Sequence, residues 1–149
     1  MAESAREPGI ARDFLLEIVT PERQLVSERV DSLRAPGVDG EFGVLPSHVR
    51  MIAGVGTGLL RYRTAGTDNW TELAVSAGLV EVLPDRVIVL AQTAEASQEI
   101  DVKRAEAAFE HARNKLEHPD EDTDIEATLA ALRRATARLQ AARGGTPES

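Results

Sequence analysis

The residues best suited to chemistry in this chain of 149 residues are four arginines near its carboxyl end. They are Arg133, Arg134, Arg138 and Arg143, with no acidic residue among them. Arg134 and Arg138 are four residues apart, so on a helix they would share one face, where two guanidinium groups suit a phosphate or a carboxylate. The cluster is either a solvated helix end that complements the helix dipole or a surface for an anionic partner. The residues alone leave both interpretations open.

Sequence motifs of common catalytic sites do not occur in this chain. It contains no Walker A phosphate loop, no dinucleotide-binding glycine pattern, no zinc-protease helix motif and no serine-hydrolase elbow. It has no cysteine, which excludes disulfides, thiolate metal ligands and a cysteine nucleophile. Its histidines, His48, His111 and His118, have no carboxylate placed to complete a metal site. The sequence therefore favours a binding or regulatory protein over an enzyme, and no metal is expected.

Composition and charge narrow the class of protein further. The net charge is −8, and an acidic chain argues against nucleic-acid binding, which requires a basic face. Aromatic residues make up only 3% of the chain, so the core must rest on Val, Leu, Ile and Ala. The longest apolar stretch, 51–60, is far below the roughly 18 residues of a membrane span. Residues 1–13 lack the apolar core of a signal peptide, so a cytoplasmic location is expected.

The elements that must position the arginines are predicted from the spacing of apolar residues, which changes near residue 95. Before it, short apolar runs separated by Gly and Pro predict strands over 14–20, 29–35, 41–45, 58–64, 70–76, 79–83 and 86–91. After it, apolar residues step by threes and fours, which predicts two helices. These residues are Val102, Ala105, Phe109, Ala112 and Leu116, then Ile125, Leu129, Leu132, Thr136 and Leu139. The predicted class is α+β, an antiparallel β-sandwich or barrel followed by an antiparallel two-helix hairpin.

Capping signals set the expected ends of the two helices. Asp101 is expected to cap the first helix, which would run to about Glu117. Thr123 and Glu126 form a T-x-x-E capping box for the second, and Gly144-Gly145 and Pro147 end it. The expected domains are a flexible N-terminal extension (1–13), a β-sandwich (14–93), a helical hairpin (94–143) and a flexible tail (144–149).

A two-helix hairpin has little core of its own and needs a surface to dock on. That surface is either its own β module or a partner, and a choice between the two would make the hairpin a switch. Because the apolar stripe on each helix is thin, we expect the hairpin to open more easily than the β module.

Three segments resemble the epsilon subunit of bacterial F-type ATP synthases. They are 36–48 (PGVDGEFGVLPSH), 74–82 (AVSAGLVEV) and 89–95 (VLAQTAE), the last leading into 100–105 (IDVKRA). The order of a β-sandwich and then a helical hairpin also matches that family. Three positions depart from its pattern, since Ser47, Arg50 and Ala77 stand where the family commonly has Gly, Pro and Gly.

The resemblance implies a non-catalytic central-stalk rotor subunit of a proton- or ion-driven ATP synthase. Its implied partners are the gamma subunit, the c ring and the beta and alpha subunits, at the cytoplasmic face of the cell membrane and without a span of its own. The positions that match the ring-facing loop are Glu41, Phe42, Gly43 and His48. The family's hairpin either folds against the sandwich or extends along gamma and inhibits ATP hydrolysis. The residues implied to form its basic inhibitory face are Arg133, Arg134, Arg138 and Arg143.

The resemblance also implies an ATP site in the folded hairpin. The matching positions are Glu95, Ile100, Asp101, Arg104, Arg134 and Arg138. No cofactor is required, and ATP would be a regulatory ligand that is not hydrolysed. The residues alone also allow a simpler interpretation, in which Asp101 is only a helix cap. A free-standing nucleotide-sensing protein, whose β module is a scaffold and which does not need gamma, remains the alternative function.

Overall fold

The computed structural model describes residues 11–144. Its strands are β1 (Phe14–Val19), β2 (Gln24–Gly37), β3 (Gly40–Val44), β4 (Met51–Val55), β5 (Gly58–Thr64), β6 (Trp70–Val82) and β7 (Arg86–Ala96). A 3-10 turn, Ser97–Glu99, leads to the helices α1 (Val102–Glu117) and α2 (Ile125–Ala142). The predicted class, a β-sandwich followed by a helical hairpin, is confirmed. The expected flexible ends fall almost entirely outside the described residues.

The strands close on themselves through a ring of β1, β2, β5, β6 and β7. The other two strands extend the sheet, β3 beside β2 and β4 between β2 and β6. All pairs are antiparallel except β1 with β7, which run parallel with Leu16 beside Val87. Directions cannot alternate all the way around a ring of five, so one parallel pair is unavoidable in this otherwise antiparallel fold.

The predicted strands are in the right places, but several of their limits are wrong. The segments 70–76 and 79–83 are one strand, because Gly78 continues the ladder by pairing with both Val55 and Ala91. The sequence does not predict β4, because its run of apolar residues and Gly shows no alternation of polar and apolar side chains. β2 begins at Gln24, five residues before the predicted start, and β7 continues to Ala96. The expected domain boundary at 93/94 therefore falls inside β7.

At two of the three positions that depart from the pattern of the epsilon subunits, the backbone has an unusual conformation. Ser47 has a φ of +67° and Ala77 a φ of +36°. This left-handed region is one that glycine occupies freely and other residues occupy at a cost. Ser47 and Ala77 thus hold a backbone conformation that favours glycine, at a cost in strain at both positions.

The buried residues form two separate clusters. The first fills the sandwich, with Leu16, Ile18, Leu33, Leu60 and Leu73 fully buried, and no helical residue belongs to it. The second joins the hairpin to the outer face of the sandwich and consists of Ala74, Ile100, Ala105, Ala137, Leu139 and Ala141. The sandwich core is therefore complete without the hairpin, which docks through a small patch of mostly alanine side chains.

The helix caps agree with the prediction for α1 and differ from it for α2. Asp101 accepts a hydrogen bond from the Arg104 N–H at 3.1 Å, as predicted. The cap of α2 is Asp124, which accepts from the Ala127 N–H at 3.0 Å, so the predicted Thr123 capping box is wrong. The Thr123 hydroxyl is instead used in the loop, where it accepts from the Asp120 N–H and donates to the Asp120 carboxylate.

The helix α2 lies between α1 and the strands β5 and β6. It ends at Ala142, and Gly144 has a φ of +72°, as expected for a glycine that closes a helix. The predicted stop signals Gly145 and Pro147 lie outside the described residues. The hairpin is thus docked on the sandwich. Within residues 11–144, no helix is long and apolar enough to span a membrane.

Candidate functional site

A cleft of 240 Å³ lies between the hairpin and the outer face of the sandwich. Its floor is formed by the neighbouring strands β6 and β7, where Ser76 and Thr93 are paired and their hydroxyl oxygens are 2.5 Å apart. Arg134 and Arg138 of α2 line the opposite wall. The spacing of four residues therefore places both arginines on one face of α2, as predicted, and that face lines the cleft.

Glu95 forms the polar contact between this wall and the floor. It stands beside Ala74 on the outer face of β7, below α2. Arg138 Nη2 donates to Glu95 Oε2 at 3.3 Å, and Arg138 Nε lies 2.8 Å from Glu95 Oε1 without the alignment of a hydrogen bond. Because Nε is buried, the guanidinium retains a donor that a better-placed acceptor could satisfy.

The other residues predicted to bind ATP do not line the cleft. Ile100 is buried in the apolar cluster between hairpin and sandwich. Asp101 caps α1, and Arg104 is exposed one turn into that helix. The structure therefore brings Glu95, Arg134 and Arg138 together and places the remaining three where they shape the start of α1.

Sequence reasoning did not find Ser76 and Thr93 at the cleft floor. Each is an ordinary polar residue in a strand, and only the pairing of β6 with β7 places the two hydroxyls side by side. Hydroxyl and guanidinium groups that line one cleft suit an anion such as phosphate. The cleft is smaller than the roughly 300–1,000 Å³ of most small-molecule sites, so a nucleotide would be enclosed only in part.

The four residues predicted to face the c ring lie on β3 and in the loop after it. The carboxylate of Glu41 is 3.7 Å from Arg61 and 4.0 Å from Arg34, so it has two cationic neighbours within the chain. Phe42 packs against the sandwich core, and Gly43 is exposed. His48 is half-buried, with its Nδ1 2.7 Å from the Val49 carbonyl oxygen. Glu41 is thus oriented by the sandwich while half its side chain remains exposed.

The arginines predicted to form an inhibitory face divide into two groups. Arg133, Arg134 and Arg143 are exposed. Arg138 is turned toward the sandwich and paired with Glu95. In the docked hairpin, therefore, only three of the four are presented to a partner.

An exposed apolar surface on β4, β6, β7 and the turn between β2 and β3 was not identified from the sequence. Leu79 is paired with Leu90 on one side and with Gly54 on the other, and Val38 lies over Gly54. Ile52 lies two residues before Gly54 on β4, and the four large side chains are between 50% and 69% exposed. We call the set Val38, Ile52, Leu79 and Leu90 the apolar face. A contiguous apolar surface of this kind is typical of a protein-binding site.

Two family models together match nearly the whole chain. Residues 13–97 match the beta-sandwich domain of the ATP synthase delta/epsilon chain, and residues 98–143 match its long alpha-helix domain. The chain is 46% identical over 133 residues to the ATP synthase epsilon chain of Syntrophobacter fumaroxidans, covering 89% of this chain and 98% of that one. It is 43% identical over 129 residues to that of Syntrophomonas wolfei subsp. wolfei, covering 86% and 93%.

Solved structures of ATP synthases contain chains with the same architecture. One is in the cryo-EM structure of the Euglena gracilis mitochondrial ATP synthase, OSCP/F1/c-ring in rotational state 1. The TM-score is 0.78 at 26% identity, covering 93% of this chain and 86% of that one. The three resembling segments, the two domain models and the docked hairpin agree, and the chain therefore belongs to the ATP synthase delta/epsilon family, as a non-catalytic member.

Proposed function

We propose that this chain is a central-stalk rotor subunit that couples gamma to the c ring and restrains ATP hydrolysis through its hairpin. The observation that carries the proposal is the division of the buried residues into two clusters. A sandwich whose core is complete without the hairpin suits a permanent rotor element. A hairpin held by a small alanine-rich patch suits an arm that docks and undocks, which is a population shift between two states.

The apolar face is our candidate for the gamma-binding surface. Its four side chains are at least half exposed and lie together on one surface, and burial of such a surface is favourable on association. Our candidates for the contact with the c ring are Glu41, Phe42, Gly43 and His48. The beta and alpha subunits would be met by the exposed arginines of α2. The chain would then be peripheral to the membrane through its complex.

Binding to gamma separates the rotor proposal from a free-standing sensor. We expect the full chain to form a stable one-to-one complex with gamma in size-exclusion chromatography. Leu79→Arg with Leu90→Arg should weaken that complex by about 30-fold or more, the effect of losing a binding hot spot. The matched control is Ile125→Arg, an exposed apolar position on α2, which should bind normally. A wild-type chain that does not bind gamma would favour the sensor, and unchanged binding by the double variant would exclude the apolar face.

We also propose that the cleft binds ATP as a regulatory ligand without hydrolysing it. The support is the position of Arg134 and Arg138 opposite the hydroxyls of Ser76 and Thr93. In calorimetric titration, Arg134→Ala with Arg138→Ala should reduce ATP affinity by about tenfold or more, because charge-assisted hydrogen bonds are lost. Arg113→Ala, an exposed position on α1 outside the cleft, is the control. The ATP proposal is wrong if wild type shows no saturable binding at millimolar ATP.

A further inference from the structure

A single ion pair spans the interface between the docked hairpin and the sandwich. It joins Arg138 of α2 to Glu95 of β7. In the part of the chain that the structure describes, no other hydrogen bond or ion pair connects α1 or α2 to a strand. The remaining contact is apolar and formed mainly by small side chains, with Ala137 and Ala141 in one cluster with Ala74 and the partly buried Leu59.

The setting of this pair makes it stronger than an ordinary surface ion pair. The Arg138 side chain is 25% exposed and that of Glu95 34%. Partial removal from water strengthens the attraction between the two charges, and removal of one partner leaves the other charge poorly hydrated beneath the helix. An alanine methyl group, by contrast, contributes only about 0.8 kcal/mol on burial. Removal of either charged partner should therefore weaken docking more than removal of one alanine methyl group does.

The linker between the two modules is fixed independently of this pair. Arg23 Nη2 donates to Glu99 Oε2 at 2.7 Å, and the Ala96 N–H donates to Glu99 Oε1 at 3.3 Å. The hydrogen bond from Arg23 holds the pKa of Glu99 below its usual range, so this carboxylate remains ionised at neutral pH. The 3-10 turn thus has a contact with the sandwich of its own, which favours undocking beyond Glu99.

We infer that the Glu95–Arg138 pair is a latch that sets the balance between the docked and the undocked hairpin. The inference builds on the mobile hairpin of the proposed function and names the contact that governs it. Undocking separates the two charges and returns both to water, while the linker stays in place. Arg138 then joins Arg133 and Arg134 as an exposed cation on α2.

Electron-spin distance measurements on the full chain test the latch directly. The chain has no cysteine, so Asp68→Cys in an exposed turn and Gln140→Cys on α2 provide the only two labelling sites. Wild type should show one main distance, that of the docked hairpin. Glu95→Arg and Arg138→Glu should each raise the ratio of undocked to docked molecules by about tenfold or more, since like charges then face each other. The double charge exchange, which restores an ion pair, should return the ratio close to that of wild type.

The control variant is Arg133→Glu, which changes the net charge as Arg138→Glu does but lies at an exposed position. It should leave the distance unchanged. Single variants that remain docked would overturn the latch, and so would a charge exchange that fails to restore docking in a chain with normal β-sheet circular dichroism. The surface proposed for gamma contains Leu79 and Leu90 and not this pair, so a failure to bind gamma would overturn the proposed function while leaving the latch intact.

Discussion

We expect Gly78→Ala to lower the free energy of unfolding by about 3 kcal/mol or more, or to prevent folding, because it forces two paired strands apart. A Cβ atom at Gly78 would lie 1.8 Å from the carbonyl oxygen of Leu90 and 2.9 Å from the Cα of Ala91. Both are backbone atoms of β7 and cannot rotate away as a side chain would. Relief of the clash requires β6 to move off β7 in the middle of their ladder.

Urea unfolding followed by circular dichroism measures this effect. The matched control is Gly43→Ala on β3, where the nearest atom to an added Cβ is the Leu33 carbonyl oxygen at 3.7 Å. That variant should remain within about 1 kcal/mol of wild type, as for most substitutions that cause no clash. A Gly78→Ala chain as stable as the Gly43→Ala chain would show that the close approach of β6 and β7 does not constrain the fold.

Gly78 also shows why some strand limits could not be predicted from the sequence. Glycine between two apolar runs often marks a break, and the sequence therefore predicts 70–76 and 79–83 as separate strands. The glycine is required here because another backbone passes close to it. That reason appears only once β6 and β7 are paired. The helices were easier to predict, because their period is local and Asp101 caps α1 whatever the tertiary structure.

The candidate site was predictable to the extent that it depends on spacing along one element. Arg134 and Arg138 are one helical turn apart, and the sequence placed them on one face. Glu95 was expected from the resemblance alone, since nothing local indicates that it meets α2. Ser76 and Thr93 are neighbours only because two strands pair. The apolar face requires the pairing of three strands and a turn that lies over one of them. Contacts of that kind follow from tertiary structure. The spacing of residues within one segment does not show which other segments lie beside it.

Removal of the hairpin should raise the rate of ATP hydrolysis by the ATP synthase without loss of binding to gamma. A chain truncated after Gln98 lacks both helices, yet every residue of the sandwich core remains, together with the apolar face. The side chains newly exposed on the sandwich are few, chiefly Ala74 and Leu59. We therefore expect the truncated chain to fold and to bind gamma as wild type does. The rate of ATP hydrolysis should be severalfold higher with the truncated chain bound than with the full chain bound. A chain truncated after Gly144 keeps both helices and should behave like wild type.

The most direct test of the rotor account is the ATP hydrolysis rate of an ATP synthase that lacks its own epsilon subunit, with either form of this chain added back. The account predicts that both forms bind to saturation and that only the full chain slows hydrolysis. Equal slowing by the full and the truncated chain, or no slowing by a full chain shown to be bound, would contradict the restraining role of the hairpin.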